Sequence, residues 1–273
     1  MEKQKSPGDF EKLRRILKMI WEVFFPLLAY YLMAGTFFLL LNMVVQNTPV
    51  NNGIGMLLAA FCLRRYFLSE VCLNGEPVMI SQTKLFAGLL REEGRQFRSW
   101  WKGSIAVLLL AIASSVSLNL LAELIQAAQY SAGYQETVQI QYSVSFVTGL
   151  LLYGVISPLA EEMIFRGIIY RKCRRYLGIL PGILLSSILF AILHGNLVQG
   201  VYAFIMGMLI CSIYEKYHSF LAPVLFHSVA NVTAFSVSYF GIPETAERMS
   251  VNCLIFTIIS AALVFLILFS KKN

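Results

Sequence analysis

Long apolar runs recur along almost the whole chain, and they constrain the fold more than any other feature of the sequence. A helix of about 20 apolar residues is long enough to cross the hydrocarbon core of a bilayer. Eight runs approach that length, the second and sixth being the shortest: 21–45, 54–68, 104–126, 143–170, 179–196, 201–214, 220–240 and 251–269. The sequence therefore predicts an all-α fold, a polytopic membrane helix bundle with about eight transmembrane helices.

Composition and charge limit the classes of partner expected for such a chain. Of the 273 residues, 58% are hydrophobic and 14% are charged, whereas soluble domains carry about 25% charged residues. So little polar surface cannot cover a water-soluble globule, and membrane lipid is the expected surrounding. The net charge of +7 comes from Lys and Arg scattered over loops without a nucleic-acid-binding motif, which argues against nucleic acid as a partner.

The basic residues also predict how the chain is oriented in a cell membrane. Six Lys and Arg residues precede the first run, and the loop 127–142 contains none. Lys and Arg accumulate in the cytoplasmic loops of multi-pass proteins. We therefore expect the N-terminus, the loop 171–175 and the C-terminus to be cytoplasmic.

The chain divides into two parts by composition. The first two runs are followed by the segment 69–101, which is amphipathic and basic and ends in Trp100 and Trp101, typical interfacial anchors. We interpret residues 1–103 as an N-terminal transmembrane pair with a cytoplasmic amphipathic linker. Residues 104–273 are interpreted as the membrane core that carries the chemistry.

Ionisable residues interrupt three of the later runs. Glu161 and Glu162 lie in S-P-L-A-E-E-M-I-F-R-G, and the following runs carry His194 and His227. Counting inward at 1.5 Å per residue from the nearest loops places these groups about 12 to 20 Å deep, near the middle of the bilayer. Ionisable groups are costly in hydrocarbon and usually mark a functional site. The sequence therefore predicts chemistry inside the membrane.

Helical spacing groups these residues into pairs. Positions four apart share a helical face, whereas Glu161 lies about 100° round the axis from Glu162. We interpret Glu162 as neutralised by an arginine and Glu161 as the carboxylate that faces a cavity; an ion-pair network that only holds helices together is the alternative. The three pairs at this spacing are Glu162 with Arg166, Phe190 with His194, and His227 with Asn231.

The same residues carry a resemblance to a known family. The motifs E-E-x-x-x-R, F-x-x-x-H and H-x-x-x-N occur in this order within residues 153–233, under a third of the chain. They resemble the three motifs of the intramembrane endopeptidase family named for CAAX-prenyl proteases and bacteriocin-processing enzymes, also called the CPBP or Abi family. The resemblance implies hydrolysis of a peptide bond in a membrane-associated or prenylated protein or peptide, with residues 104–273 as the protease core.

The residues permit a mechanism for that reaction. Glu161 would act as general base toward a water shared with His194. His227 and Asn231 would donate hydrogen bonds to the carbonyl oxygen as it gains charge. The supporting residues would be Glu162, Arg166 and Phe190.

Several alternatives stay open at the level of sequence. Glu161, His194 and His227 would also form a three-ligand set for a catalytic zinc ion, although no H-E-x-x-H signature is present and a metal-free site without a cofactor is favoured. A catalytically silent scaffold, or an immunity or regulatory protein, could retain the same motifs. An ion-coupled transporter could use buried Glu and His as a relay, but no two-fold internal repeat supports it.

Overall fold

The computed structural model describes residues 7–75, 81–126 and 131–240, together with the positions 254–255, 258–260, 262 and 265–266. These residues form helices and connecting turns, and no β-strand occurs among them. The predicted all-α membrane bundle is therefore confirmed. The helices are α1 (Pro7–Asn42), α2 (Thr48–Leu73), α3 (Gln82–Leu124), α4 (Ala132–Gln141), α5 (Phe146–Leu177), α6 (Ile179–Ile192), α7 (Leu197–Tyr217) and α8 (Leu221–Phe240).

Five helical stretches within the described residues are long and apolar enough to cross a membrane. They are Phe10–Asn42, Gly103–Leu124, Phe146–Leu177, Leu197–Tyr217 and Leu221–Phe240. Helix α2, with 26 residues, and α6, with 14, are not among them. Eleven of the 19 residues of the last predicted run, 251–269, lie outside the described residues, so the count of eight spans and the orientation of the termini stay predictions.

One predicted boundary differs from the structure because of local hydrogen bonding. The run predicted at 201–214 belongs to α7, which already begins at Leu197 since the Asn196 Oδ1 atom accepts from the Gln199 N–H at 2.9 Å. An Asn at this position satisfies a backbone donor that the first helical turn leaves open. The expected amphipathic linker 69–101 is helical over most of its length. Most of it is the first part of α3, a single helix of 43 residues.

Helix α5 lies between the N-terminal helices and α8. Tyr30 of α1 and Phe67 of α2 belong to one buried apolar cluster with Ala160 and Ile164 of α5. The approach of α2 is so close that a Cβ atom added to Gly167 would lie 2.3 Å from the Phe67 Cε2 atom. The N-terminal pair therefore shares its core with α5, while the assignment of the chemistry to residues 104–273 stays a prediction.

A buried ionic cluster joins the C-terminal part of α5 to the N-terminal helices. The Lys172 Nζ atom lies 3.2 Å from a carboxylate oxygen of Glu22 in α1 and 3.2 Å from one of Glu70 in α2. Arg175 pairs with Glu70 as well. Arg171 donates from Nε to the Glu70 backbone carbonyl at 3.2 Å. These contacts fix the relative heights of α1, α2 and α5.

Glu93 of α3 caps the N-terminus of α8. Its carboxylate accepts from the Ser219 hydroxyl at 2.6 Å and from the backbone N–H groups of Phe220 and Leu221 at 2.8 and 3.1 Å. The first backbone N–H groups of a helix have no partner within the helix, and a negative charge at that end is favourable. Glu93 therefore holds the helix that carries His227 and Asn231.

We expect Glu93→Gln to lower the free energy of unfolding by about 1 to 3 kcal/mol, the usual contribution of hydrogen bonds to a charged group. A glutamine keeps one acceptor oxygen but turns an NH₂ group toward donors. The neighbouring Glu92 pairs with Arg95 on an exposed face, its own side chain being 48% exposed, so Glu92→Gln is a matched control with little effect. Thermal unfolding in detergent measures both, and equal melting temperatures for the two variants would contradict the capping role.

Candidate active site

Helix α5 departs from α-helical geometry on both sides of its two glutamates. Residues Leu152–Ile156 and Phe165–Tyr170 are π-helical, and the stretch Ser157–Ile164 between them holds Glu161 and Glu162. Short π-helical segments occur frequently at functional sites because they shift the phase of side chains along a helix. The two carboxylates thus lie on a short α-helical stretch whose side chains are rotated about the helix axis relative to those of an uninterrupted α-helix.

The first π-helical segment leaves one backbone carbonyl open, and Asn231 fills it. The Ser157 N–H bonds to the Leu152 carbonyl rather than to that of Tyr153, and the next residue, Pro158, has no N–H. The Tyr153 carbonyl accepts instead from the Asn231 Nδ2 atom at 3.1 Å. This contact fixes α8 beside α5 at the level of the site.

Glu162 and Arg166 form a fully buried ion pair. The Arg166 Nη1 atom donates to Glu162 Oε1 at 2.9 Å, and both side chains are 0% exposed. The Arg166 Nη2 atom donates to the Gly207 carbonyl of α7 at 3.2 Å, and the guanidinium carbon lies 4.7 Å from the centre of the Phe190 ring. The structure therefore brings together the pair that helical spacing predicted.

His227 lies between the two glutamates. Its Nδ1 atom lies 2.7 Å from Glu162 Oε1, and its Nε2 atom lies 3.7 Å from Glu161 Oε2. Since a carboxylate can only accept, the proton of this hydrogen bond belongs to Nδ1, which leaves Nε2 directed toward Glu161. The Glu161 side chain is 17% exposed, whereas Glu162 is completely buried. The bridging histidine makes the adjacent carboxylates chemically different: the buried one bonds to the imidazole, and the other is partly exposed and makes no direct hydrogen bond to it.

His194 occupies a turn instead of the helix that was predicted to extend to residue 196. Helix α6 ends at Ile192, and Gly195 has a φ of +77°, which favours glycine and turns the chain. The His194 Nδ1–H donates to the Phe190 carbonyl at 2.7 Å, one of the carbonyls left open at a helix C-terminus. The Nε2 atom of His194 is thereby the one left for other partners.

Phe190 connects the two histidines. Its ring centre lies 4.7 Å from that of His194 and 5.9 Å from that of His227, both edge-to-face. Among the described residues, no hydrogen bond or ion pair joins His194 directly to Glu161 or His227. The structure thus groups one set of ionic contacts around His227, while His194 contacts the same aromatic ring as His227.

The three candidate zinc ligands do not form a ready-made set. Glu161 and His227 approach each other to 3.7 Å, but within the described residues no hydrogen bond or ion pair joins His194 to either of them, and its Nδ1–H is bonded to the backbone. Within the described part of the chain, no group of three or more His, Cys, Asp or Glu side chains is arranged to hold a metal ion. These residues as placed do not fit a three-ligand zinc site, and metal dependence stays a hypothesis.

Comparison with known proteins addresses the same segment. Residues 143–233 match a family model described as type II CAAX prenyl endopeptidase Rce1-like. This segment is an Rce1-like domain. It contains every residue that the sequence motifs singled out, so the recognition of the CAAX protease family is confirmed. No curated protein and no solved structure matches the chain.

The Rce1-like domain supports two coarser conclusions. Its family is one of CAAX endopeptidases, which supports peptide-bond hydrolysis in general and a membrane-associated peptide or protein as substrate. Together with the five apolar helices, it indicates a multi-pass membrane protein.

The sequence motifs did not identify a pair of tyrosines close to the site. Tyr30 and Tyr31 of α1 both interact electrostatically with Glu161, although α1 lies outside the Rce1-like domain. Two adjacent tyrosines within an apolar run were the available signal. Helical spacing relates residues of one helix only, so it could not connect the tyrosines of α1 with Glu161 of α5.

Proposed function

We propose that the protein is an intramembrane endopeptidase that hydrolyses a peptide bond in a membrane-associated or prenylated protein or peptide. The observation that carries the proposal is the position of His227, bonded to a buried carboxylate on one side and facing a second carboxylate on the other. A purely structural ion pair would need only Glu162 and Arg166. The arrangement of His227 between two carboxylates lies within an Rce1-like domain, which supports hydrolysis as the reaction.

Glu161 is the general base of the proposed mechanism. A gap of 3.7 Å between Glu161 Oε2 and His227 Nε2 is too long for a direct hydrogen bond and is a distance at which a bridging water is considered. The carboxylate takes a proton from the water as the oxygen attacks the carbonyl carbon, and returns it to the departing nitrogen. The His194 Nε2 atom, which the bond from Nδ1–H to the Phe190 carbonyl leaves available, would approach the same water when substrate binds.

His227 and Asn231 stabilise the charge that develops on the carbonyl oxygen. They lie one turn apart on α8, and the doubly protonated imidazole would donate from Nε2 while Nδ1 stays bonded to Glu162. The Asn231 amide has a second hydrogen beyond the one that bonds to Tyr153. Glu162 and Arg166 hold the imidazole of His227 in place, and Phe190 packs against both imidazole rings and limits their movement.

The proposal predicts cleavage of a prenylated peptide by the purified protein. The full chain in nanodiscs is incubated with a farnesylated peptide ending in a CAAX sequence and with its unprenylated counterpart, and the products are identified by mass. We expect cleavage by the wild type and none by Glu161→Gln. Preference for the farnesylated peptide would assign the substrate class, while failure of the folded wild type to cleave either peptide would contradict an endopeptidase of this kind.

The metal hypothesis is tested in the same assay. Activity is measured before and after dialysis against a strong zinc chelator, followed by addition of zinc. We expect no loss of activity, because among the described residues His194, Glu161 and His227 are not arranged as a three-ligand set. Loss on dialysis with recovery on zinc addition would replace the metal-free mechanism.

A further inference from the structure

Tyr30 is a fully buried tyrosine whose hydroxyl has no partner within the described residues. Its side chain is 0% exposed, and neither a backbone nor a side-chain group of those residues accepts from or donates to the hydroxyl. Buried tyrosine hydroxyls usually have a hydrogen-bond partner, because an unpaired polar group in an apolar environment is unfavourable. The Tyr30 hydroxyl is therefore a candidate for a contact that forms during function.

The ionic cluster places Tyr30 at the height of Glu161. Lys172 of α5 pairs with Glu22 of α1. From that pair, α1 leads forward in sequence to Tyr30, and α5 leads back in sequence to Glu161. Tyr30 lies about two turns, or about 12 Å, from Glu22, and Glu161 lies about three turns, or about 16 Å, from Lys172. The length of the Lys172 side chain is comparable to the difference.

Tyr30 packs in the buried cluster that includes the neighbours of the two glutamates. Tyr30 belongs to the same buried cluster as Ala160 and Ile164, which flank the two glutamates in sequence. Tyr30 and Tyr31 both interact electrostatically with Glu161. Tyr31 is 37% exposed and its ring lies edge-on to that of Tyr30, with centres 5.2 Å apart. Tyr30 is the buried member of the pair.

We propose that Tyr30 is a positioning residue for proteolysis: in the substrate-bound protein its hydroxyl donates a hydrogen bond to the Glu161 carboxylate and fixes the orientation of that base. This inference rests on the proposed function. Hydrogen bonds of a catalytic site are often long in the free enzyme and tighten when substrate binds. Helix α1, outside the Rce1-like domain, would in this way complete the site.

The test removes only the hydroxyl. Tyr30→Phe is compared with Tyr170→Phe, which makes the same change at a fully buried tyrosine nearer the C-terminal end of α5. We expect kcat of Tyr30→Phe to fall about tenfold, the effect of losing one hydrogen bond to a charged group. KM and the melting temperature should stay unchanged, as should kcat of Tyr170→Phe. Incorporation of 4-aminophenylalanine at position 30 restores a donor and should restore kcat.

The outcomes separate this inference from the proposed function. If the wild type cleaves the peptide and Glu161→Gln does not, while Tyr30→Phe keeps its kcat, the positioning role is wrong and the protease stands. If Tyr30→Phe lowers the melting temperature as well as kcat, the hydroxyl stabilises the fold and the inference is overturned. Absence of cleavage by the wild type would instead refute the protease itself.

Discussion

Glu161→Gln should reduce proteolysis by about 100-fold or more, the usual contribution of general-base catalysis, without changing the stability of the fold. The substitution preserves size and removes basicity. Stability should be retained because Glu161 is partly exposed and its only ionic contact among the described residues is with His227 at 3.7 Å. Peptide cleavage in nanodiscs and thermal unfolding of the same preparation measure the two effects, and full activity in this variant would eliminate the proposed base.

Glu162→Gln should behave differently, losing about 3 kcal/mol or more of stability together with activity. Its carboxylate is completely buried and accepts from Arg166 at 2.9 Å and from His227 at 2.7 Å. The substitution leaves the guanidinium charged and unpaired in a low-dielectric site, a change that typically costs 3 to 5 kcal/mol. The melting temperature measured beside the cleavage rate should therefore separate the two glutamates.

The double variant Glu162→Gln with Arg166→Met is the control for that explanation. It removes the orphaned charge and should recover part of the lost stability. It should not recover activity, because the imidazole of His227 has lost its carboxylate partner. If Glu161→Gln proved to be the unstable variant and Glu162→Gln the stable one, the two carboxylates would have been assigned the wrong way round.

Contacts within one helix could be predicted from the sequence, and contacts between helices could not. Spacing of four residues was sufficient to predict that Glu162 binds Arg166, since the helix itself fixes their separation. The bond from His227 to Glu162 joins α8 to α5, and its formation depends on how the two helices are rotated and packed. The contribution of Tyr30 depends on a third helix, α1, for the same reason.

The position of His194 shows a further limit of reasoning from hydropathy. An apolar run continues through residue 192 and beyond, so the pattern predicted an uninterrupted helix to residue 196. The backbone instead turns at Gly195. The contact between Phe190 and His194 forms nevertheless, because the imidazole bonds to the open carbonyl at the end of α6. The predicted partner was right although the predicted geometry was not.

The open carbonyl of Tyr153 has a consequence for how such a protein is made. A backbone carbonyl without a donor is strongly disfavoured in hydrocarbon, and Pro158 prevents α5 from supplying that donor itself. A newly inserted α5 is therefore incomplete in lipid until α8 brings Asn231 to it. The same encounter inserts His227 between the glutamates. Under the proposed mechanism, the encounter that satisfies this carbonyl also completes the site, so a half-assembled chain would not cleave its neighbours in the membrane.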